Sequence, residues 1–313
     1  MKPLVVITGP TAVGKTELSI KIAKAIDGEI ISADSIQVYK HMDIGSAKIT
    51  KEEMQGIKHY LVDEFEPDEE FNVHVFKEKT LEYMDKIYEA GKIPIIVGGT
   101  GFYIQSVLYD IQFNDEEIDS AYRKKLENIA KEKGNDYLHN MLREVDEESA
   151  LNIHKNNLKR VIRALEFYKN TGEKISTHNE EQSQNISPYN FVYFVLNDKR
   201  ELLYERINKR VDIMFDKGLV NEVKNLLNMG YTKDLVSMNG IGYKEVVDYI
   251  NGKYSLDETK EIIKTRHFAK RQLTWFRREK DVTMVNYFDY DSIDDTLKYM
   301  INTLREKDII KND

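Results

Sequence analysis

The chain has 313 residues, of which 41% are hydrophobic and 32% charged, a composition typical of a globular protein with a sizeable core. It contains no cysteine, which excludes disulfides, thiolate metal sites and cysteine nucleophiles. The formal net charge of −8 argues against a nucleic-acid partner unless the basic residues are clustered. They do cluster, within 155–163 and 266–280, so the acidic total does not exclude RNA, and any binding would be confined to a patch.

The apolar segments are all short. The first one stops at Gly9 and Pro10, too early for the roughly 7–15-residue core and cleavage site of a signal peptide. No apolar run approaches the roughly 20 residues that cross a bilayer. We therefore expect a cytoplasmic protein without a membrane partner.

The first third of the chain alternates between strand and helix patterns. A helix with an apolar face follows Gly14, and a longer amphipathic helix begins after Asn72, a good N-cap, and stops before Gly91. Short apolar runs that predict strands lie at 3–8, 29–33, 59–62 and 93–97. This alternation predicts βαβ units and a parallel sheet.

After about residue 112 the pattern changes. Residues 114–171 contain charged helical segments and no convincing strand, and a polar stretch at 173–187 reads as a linker. Strand patterns return at 191–196 and 283–286, with helices at 199–214, 220–229, 243–250 and 256–278. The predicted fold is α/β, a P-loop NTPase-like parallel sheet flanked by helices with an inserted all-helical subdomain. Its predicted parts are a core over 1–112, a helical insertion over 113–187, and the completed core over 188–313.

Residues 9–16 (GPTAVGKT) match the phosphate-binding motif G-x-x-x-x-G-K-[ST] between a predicted strand and a predicted helix. The loop amides and the N-terminal end of the helix attract phosphate oxygens. The lysine adds a cation, and the threonine hydroxyl can bind Mg²⁺. The predicted diphosphate-binding residues are Gly9, Thr11, Ala12, Val13, Gly14, Lys15 and Thr16, with Thr16 as the metal ligand.

A P-loop by itself indicates only a bound di- or triphosphate. Most P-loops belong to enzymes that use ATP or GTP, so a small-molecule kinase is the default hypothesis. Such an enzyme usually needs a carboxylate after an apolar strand, and Asp63 could provide it. The strand at 93–97 ends in glycines and Thr100 instead, which weakens the kinase hypothesis without excluding it.

Three further residues are candidates for the same site. Asp34 follows the second predicted strand, at the sheet edge where open α/β sheets bind ligands. It could act as a general base, bind Mg²⁺ or have a structural role through hydrogen bonds. Thr100 follows the strand at 93–97 and could face the ligand or cap a helix. Arg210 lies on a predicted helix and could hold a diphosphate through two nitrogens or lie in solvent.

Together these segments resemble the tRNA dimethylallyltransferases, also called tRNA isopentenyltransferases, of the bacterial type. The similar segments follow in order over nearly the whole chain: GPTAVGKT at 9–16, SADSIQVYKHMDIGSAK at 32–48, VGGTGFYI at 97–104, HKNNLKRVIRALE at 154–166, RVDIMFDKGLVNEV at 210–223, NGIGYKE at 239–245 and TRHFAKRQLTWFRR at 265–278. The chain departs from the family pattern at Ser46, Lys155, Asn157 and Phe268. The departures at 155 and 157 weaken the inference about the insertion more than that about catalysis.

The resemblance implies transfer of a dimethylallyl group from dimethylallyl diphosphate to the exocyclic amine of the adenosine immediately 3′ of the tRNA anticodon. Asp34 would be the general base, and Thr100 would lie where the base and the diphosphate meet. Lys15, Thr16 with Mg²⁺ and Arg210 would stabilise the departing diphosphate. The residues implied to contact tRNA are Asp34, Ser35, Ile36, Gln37, Thr100, Arg123, Arg160, Arg163, Arg271 and Gln272.

Three alternatives stay open at this stage. An adenylate isopentenyltransferase would use a free nucleotide, but it would not need the basic insertion or the basic cluster that includes Arg266, Lys270 and Arg277. A P-loop phosphotransferase would turn over ATP. A non-catalytic RNA-binding protein would bind tRNA without modifying it. The resemblance favours a monomer, although the sequence does not determine the oligomeric state.

Overall fold

The computed structural model describes residues 1–113, 120–264 and 267–311. The chain separates into two compact units, one formed by Met1–Leu108 with Pro188–Asp313 and the other by Tyr109–Ser187. We call them the core unit and the helical unit. Arg266 and the acidic residues at 115–119 lie outside the described residues.

The core unit is built on one sheet. Among the described residues, its strands are β1 (Lys2–Thr8), β2 (Gly28–Ala33), β3 (His59–Tyr60), β4 (Ile93–Gly98), β5 (Tyr189–Asn197) and β6 (Val282–Asn286). Their order is β3-β2-β4-β1-β5-β6, and every pairing is parallel. The fold class predicted from the sequence is confirmed.

The central strands are apolar because helices cover both faces of a parallel sheet. In β1, Val5 lies opposite Ile95 of β4 and Val192 of β5, and all three are buried. The helices of the first part are α1 (Lys15–Ala25), α2 (Lys51–Met54), α3 (Val73–Glu89) and α4 (Gly101–Leu108). Asn72 caps α3 as predicted, because its side chain accepts the N–H groups of His74 and Val75.

The helical unit has its own core. Its helices are α5 (Ser120–Lys133), α6 (Asn135–Val145), α7 (Glu147–Asn152), α8 (Leu158–Thr171) and α9 (Ile175–Ser183). Leu126, Leu138, Leu142 and Val161 pack together in its centre. The described residues of this unit contain no strand, in agreement with the prediction.

The prediction of a linker over the polar stretch 173–187 is wrong in part, because α9 lies within this stretch. The start of α9 is attached to the unit through Asp146, whose carboxylate accepts the backbone N–H and the hydroxyl of Ser176 at 3.0 and 2.8 Å. Such tertiary hydrogen bonds stabilise a helix whose own sequence has no apolar face.

The remaining helices complete the core unit. They are α10 (Arg200–Asp216), α11 (Leu219–Asn228), α12 (Tyr243–Ile250), α13 (Leu256–Lys264), α14 (His267–Phe276) and α15 (Ile293–Glu306). α15 was not predicted, although Met300 and Leu304 on it are fully buried with Val5 and Ile7. The helix predicted over 256–278 is described as α13 and α14, and residues 265–266 between them lie outside the described part.

Candidate active site

Three loops meet at the carboxyl edge of the sheet. The order β2-β4-β1 makes these strands neighbours, so the segments that follow them are adjacent. The Thr8 hydroxyl donates to the Gly98 carbonyl at 2.8 Å, and the Thr100 N–H donates to the Ala33 carbonyl at 3.3 Å. The topology therefore brings the P-loop, Asp34 and Thr100 to one place.

The P-loop curls over its own lysine. Ala12 and Gly14 have φ angles of 63° and 97°, a left-handed backbone that glycine adopts without strain. The Lys15 ammonium donates to the carbonyls of Gly9 and Pro10, each at 2.9 Å. Because an ammonium has three N–H donors, these two bonds fix its position and leave one donor for an anion. Thr16 is exposed at the start of α1.

Two cations and one carboxylate interact at this edge. Burial and, to a smaller extent, the nearby Arg210 cation lower the pKa of Lys15 to about 8, against the opposite effect of the Asp34 carboxylate. Burial also lowers the pKa of Arg210, against the same carboxylate. A partly desolvated pair of cations binds a polyanion strongly, because water screens the interaction less than at the surface.

Asp34 is oriented by its own turn. Its Oδ1 accepts the backbone N–H groups of Ile36 and Gln37 at 2.9 and 3.2 Å, and no hydrogen bond within the described residues engages Oδ2. Thr100 precedes α4, and its carbonyl accepts the N–H of Tyr103 at 3.0 Å. The capping bond considered for its hydroxyl is absent among the described residues. Both side chains thus keep a polar atom for a ligand.

Gln272 joins two of these loops. It is 7% exposed, its side-chain oxygen accepts the Thr11 N–H at 2.9 Å, and its nitrogen donates to the Gly99 carbonyl at 3.0 Å. A Cβ atom on Gly99 would lie 2.3 Å from that nitrogen, so only glycine allows this approach. This position gives Gln272 a bracing role, and its contact with RNA stays a prediction.

Arg210 is held by the backbone of another loop. Its guanidinium donates to the Ser46 carbonyl at 3.2 Å, and the Gln37 amide donates to the same carbonyl at 3.3 Å. Glu222 and Tyr243 hold this loop in turn through further hydrogen bonds. The sequence did not single out these two residues, although both lie inside segments that carry the family resemblance.

The other residues predicted to contact tRNA lie in different environments. Arg123 makes a bidentate ion pair with Glu166, with N–O distances of 2.9 and 2.7 Å. Arg160 and Arg163 are exposed on α8, three residues apart and so on one face of the helix. Ser35 and Ile36 are partly buried, and Arg271 is exposed on α14. Their RNA contacts stay predictions.

A cleft of about 440 Å³ lies beside α14, and sequence reasoning missed its acidic residue. Burial raises the pKa of Glu279 to about 7, against the opposite effect of a hydrogen bond from Gln105. The Gln105 amide donates to Glu279 Oε1 at 2.8 Å. The cleft is lined by Gln105, Lys270, Arg271, Thr274, Trp275, Arg278 and Glu279.

Comparison with known proteins identifies the family. A family model described as IPP transferase matches residues 37–279. The chain belongs to this family. It is 60% identical to the tRNA dimethylallyltransferase of Lachnoclostridium phytofermentans over 313 residues, covering 99% of this chain and all of that protein.

Solved structures of the family have the same fold. The tRNA isopentenylpyrophosphate transferase of Bacillus halodurans is 42% identical with a TM-score of 0.74 and covers 98% of each chain. A eukaryotic dimethylallyltransferase acting on tRNA is 29% identical with a TM-score of 0.80, covering 98% of this chain and 80% of the other. Within the described residues, no helix is long and apolar enough to span a membrane.

Proposed function

We propose that the protein transfers a dimethylallyl group from dimethylallyl diphosphate to the exocyclic amine of the adenosine immediately 3′ of the anticodon in tRNA. The product is N6-dimethylallyladenosine. The observation that carries the proposal is the meeting of the Lys15 and Arg210 cations with the Asp34 carboxylate at one sheet edge. Membership of the IPP transferase family supports the same chemistry.

The reaction needs an anion site and a base side by side. The adenine N6 forms a bond to C1 of the allylic group while the bond from C1 to the diphosphate oxygen breaks. The electron pair leaves with the diphosphate, and the N6 proton goes to Asp34. Lys15, the loop amides and Arg210 stabilise the charge on the leaving group, where each well-placed donor contributes about 3 kcal/mol. A positioned base typically contributes about 10²–10⁴ in rate.

Mg²⁺ fits the site through Thr16. No group of three or more histidine or acidic side chains that could hold a metal occurs within the described ranges. A site with one protein ligand suits Mg²⁺, which commonly binds substrate phosphates and retains several waters. When bound, the ion would neutralise part of the diphosphate charge, and the Thr16 hydroxyl would be its protein ligand.

The acceptor is tRNA rather than a free nucleotide. This assignment rests on the exposed basic residues of the helical unit, including Arg160 and Arg163, and on those of α14, including Arg271. They suit phosphate contacts, which a free nucleotide would not need. The monomeric state and the cytoplasmic location stay predictions.

The test incubates the purified protein with unmodified tRNA, Mg²⁺ and dimethylallyl diphosphate, followed by mass spectrometry of the digested nucleosides. We expect prenylated adenosine in tRNA and none with free AMP as acceptor. Prenylated AMP with unmodified tRNA would make the protein a free-nucleotide enzyme. ATP turnover without a prenylated product would make it a phosphotransferase, and tRNA binding without either reaction would leave a non-catalytic RNA-binding protein.

A further inference from the structure

The loop 42–47, which we call the brace loop, is held by one carboxylate. Glu222 of α11 accepts three consecutive backbone N–H groups, from Asp43 at 2.9 Å, Ile44 at 2.7 Å and Gly45 at 3.0 Å. A charged acceptor makes stronger hydrogen bonds than a neutral one. One side chain therefore fixes the backbone of half of the loop.

Tyr243 of α12 extends this network. Its side chain is fully buried. Its hydroxyl donates to Glu222 Oε1 at 2.8 Å and accepts the Ser46 N–H at 3.2 Å. Burial and the Glu222 charge raise the pKa of Tyr243, so the hydroxyl keeps the proton that it donates. A Cβ atom on Gly45 would lie 2.6 Å from the tyrosine ring, so the ring and the loop are in close contact.

The far side of the brace loop faces the active site. The Ser46 carbonyl accepts the Arg210 guanidinium at 3.2 Å and the Gln37 amide at 3.3 Å. The Ser46 hydroxyl is fixed as well, because it donates to the Met42 carbonyl at 2.6 Å. Ser46 is therefore held on one side by Tyr243 and holds Arg210 on the other.

We propose that Glu222 and Tyr243 are positioning residues, which fix Arg210 through the Ser46 carbonyl in the orientation that meets the leaving diphosphate. The inference rests on the proposed function and adds two residues from different helices to it. An arginine side chain has many rotamers, so an unheld guanidinium would spend little time in the productive orientation. Neither residue touches a reacting atom, because both act through the brace loop.

The chain offers a matched control. At the start of β2, far along the strands from the carboxyl edge, the buried Tyr60 hydroxyl donates to Glu29 Oε2 at 2.8 Å. This pair has the same chemistry as the pair of Tyr243 and Glu222, but it is not connected to Arg210 by any hydrogen bond of the described residues. Tyr60→Phe and Tyr243→Phe each delete one buried hydroxyl that binds a carboxylate.

The first experiment compares the two variants in single-turnover prenyl transfer. We expect Tyr243→Phe to lower the rate about tenfold with unchanged tRNA affinity, the effect of weakening one hydrogen bond to a charged group. We expect Tyr60→Phe to keep the wild-type rate and to lower the thermal stability about as much as Tyr243→Phe does. Equal rates for the two variants would overturn the proposal. Glu222→Gln, which keeps the shape of the side chain, should repeat the Tyr243→Phe result.

The second experiment separates positioning from general stability by a double-mutant cycle. If Tyr243 acts through Arg210, Tyr243→Phe will cause no further loss in an Arg210→Ala background. Additive losses would contradict the proposal. The cycle is repeated with inorganic pyrophosphate affinity as the readout, which needs no prenyl transfer. If the wild type failed to prenylate tRNA, the proposed function would fail, while the pyrophosphate cycle would still accept or reject the role of the brace loop.

Discussion

The core unit and the helical unit use basic residues in opposite ways. In the core unit, Lys15 and Arg210 are partly buried and bonded to backbone carbonyls of Gly9, Pro10 and Ser46. In the helical unit, Arg160 and Arg163 are exposed, and Arg123 is paired with Glu166.

The difference has a physical meaning. Fixed cations in a partly desolvated site act strongly on one substrate group at a defined distance, as catalysis requires. Exposed cations on mobile side chains act over a Debye length of about 8 Å at physiological salt and suit an extended polyanion. We therefore expect substitutions of the partly buried cations Lys15 and Arg210 to change the rate, and substitutions of the exposed arginines of the helical unit to change tRNA affinity.

The largest effect is expected for Asp34→Asn. Asparagine keeps the oxygen that accepts the N–H groups of Ile36 and Gln37, but it is not basic. We expect single-turnover prenyl transfer to fall by about 10²–10⁴ with tRNA affinity retained. Asp85→Asn is the control, because Asp85 is an exposed carboxylate paired with Lys2. Near-normal turnover by the Asp34 variant would remove it as the base.

Lys15→Ala should follow, with a fall in rate of about 10²–10³ from the loss of one donor to the leaving group. The measurement is single-turnover transfer at saturating tRNA, with tRNA affinity measured in parallel. Lys21→Ala on the same helix is the control, because this lysine pairs with Asp294. A loss of tRNA affinity as large as the loss of rate would remove the distinction between the two units.

A smaller and different effect is expected for Arg160→Ala combined with Arg163→Ala. The affinity falls with salt, and each lost phosphate contact should make the slope of log affinity against log salt less steep by about 0.7–0.9. The rate at saturating tRNA should be unchanged. Arg143→Ala, an exposed arginine on α6 of the same unit, is the control for net charge. An unchanged salt slope would remove these two residues from the RNA contact.

The smallest expected effect is on the pH dependence of stability. It depends on carboxyl groups that are buried or partly buried, and these also differ between the units. In the helical unit, burial acts to raise the pKa of Asp146, but hydrogen bonds from Ser149 and Ser176 prevail and lower it. In the core unit, burial prevails at Glu279 and raises its pKa to about 7. Between the ordinary pKa of a glutamate and about 7, the native state therefore holds a proton that the unfolded state has lost, so stability falls as pH rises through this window.

Glu279→Gln tests this sign. The amide keeps an oxygen that can accept from Gln105 but cannot ionise. The melting temperature of the variant relative to the wild type should therefore rise from about pH 5 to about pH 8. A difference that does not change with pH would show that Glu279 does not titrate in this window.

Much of the fold was readable from local patterns. The apolar runs predicted β1, β2, β4, β5 and β6 to within about two residues, which is the usual uncertainty of element boundaries. The prediction failed where stability comes from partners distant in sequence. The polar α9 is attached through Asp146, and α15 is stabilised by burial with β1. The strand predicted over 59–62 ends at Tyr60, because Leu61 and Asp63 have positive φ angles.

The sequence alone determined the phosphate loop, the parallel sheet and the family, because each depends on short segments with fixed local geometry. Only the tertiary structure decided how the segments cooperate. It brought Gln272 between the P-loop and Gly99, and it connected Glu222 and Tyr243 to Ser46 and Arg210. These bonds join residues up to 261 positions apart, and a local pattern carries no information about a partner at that separation.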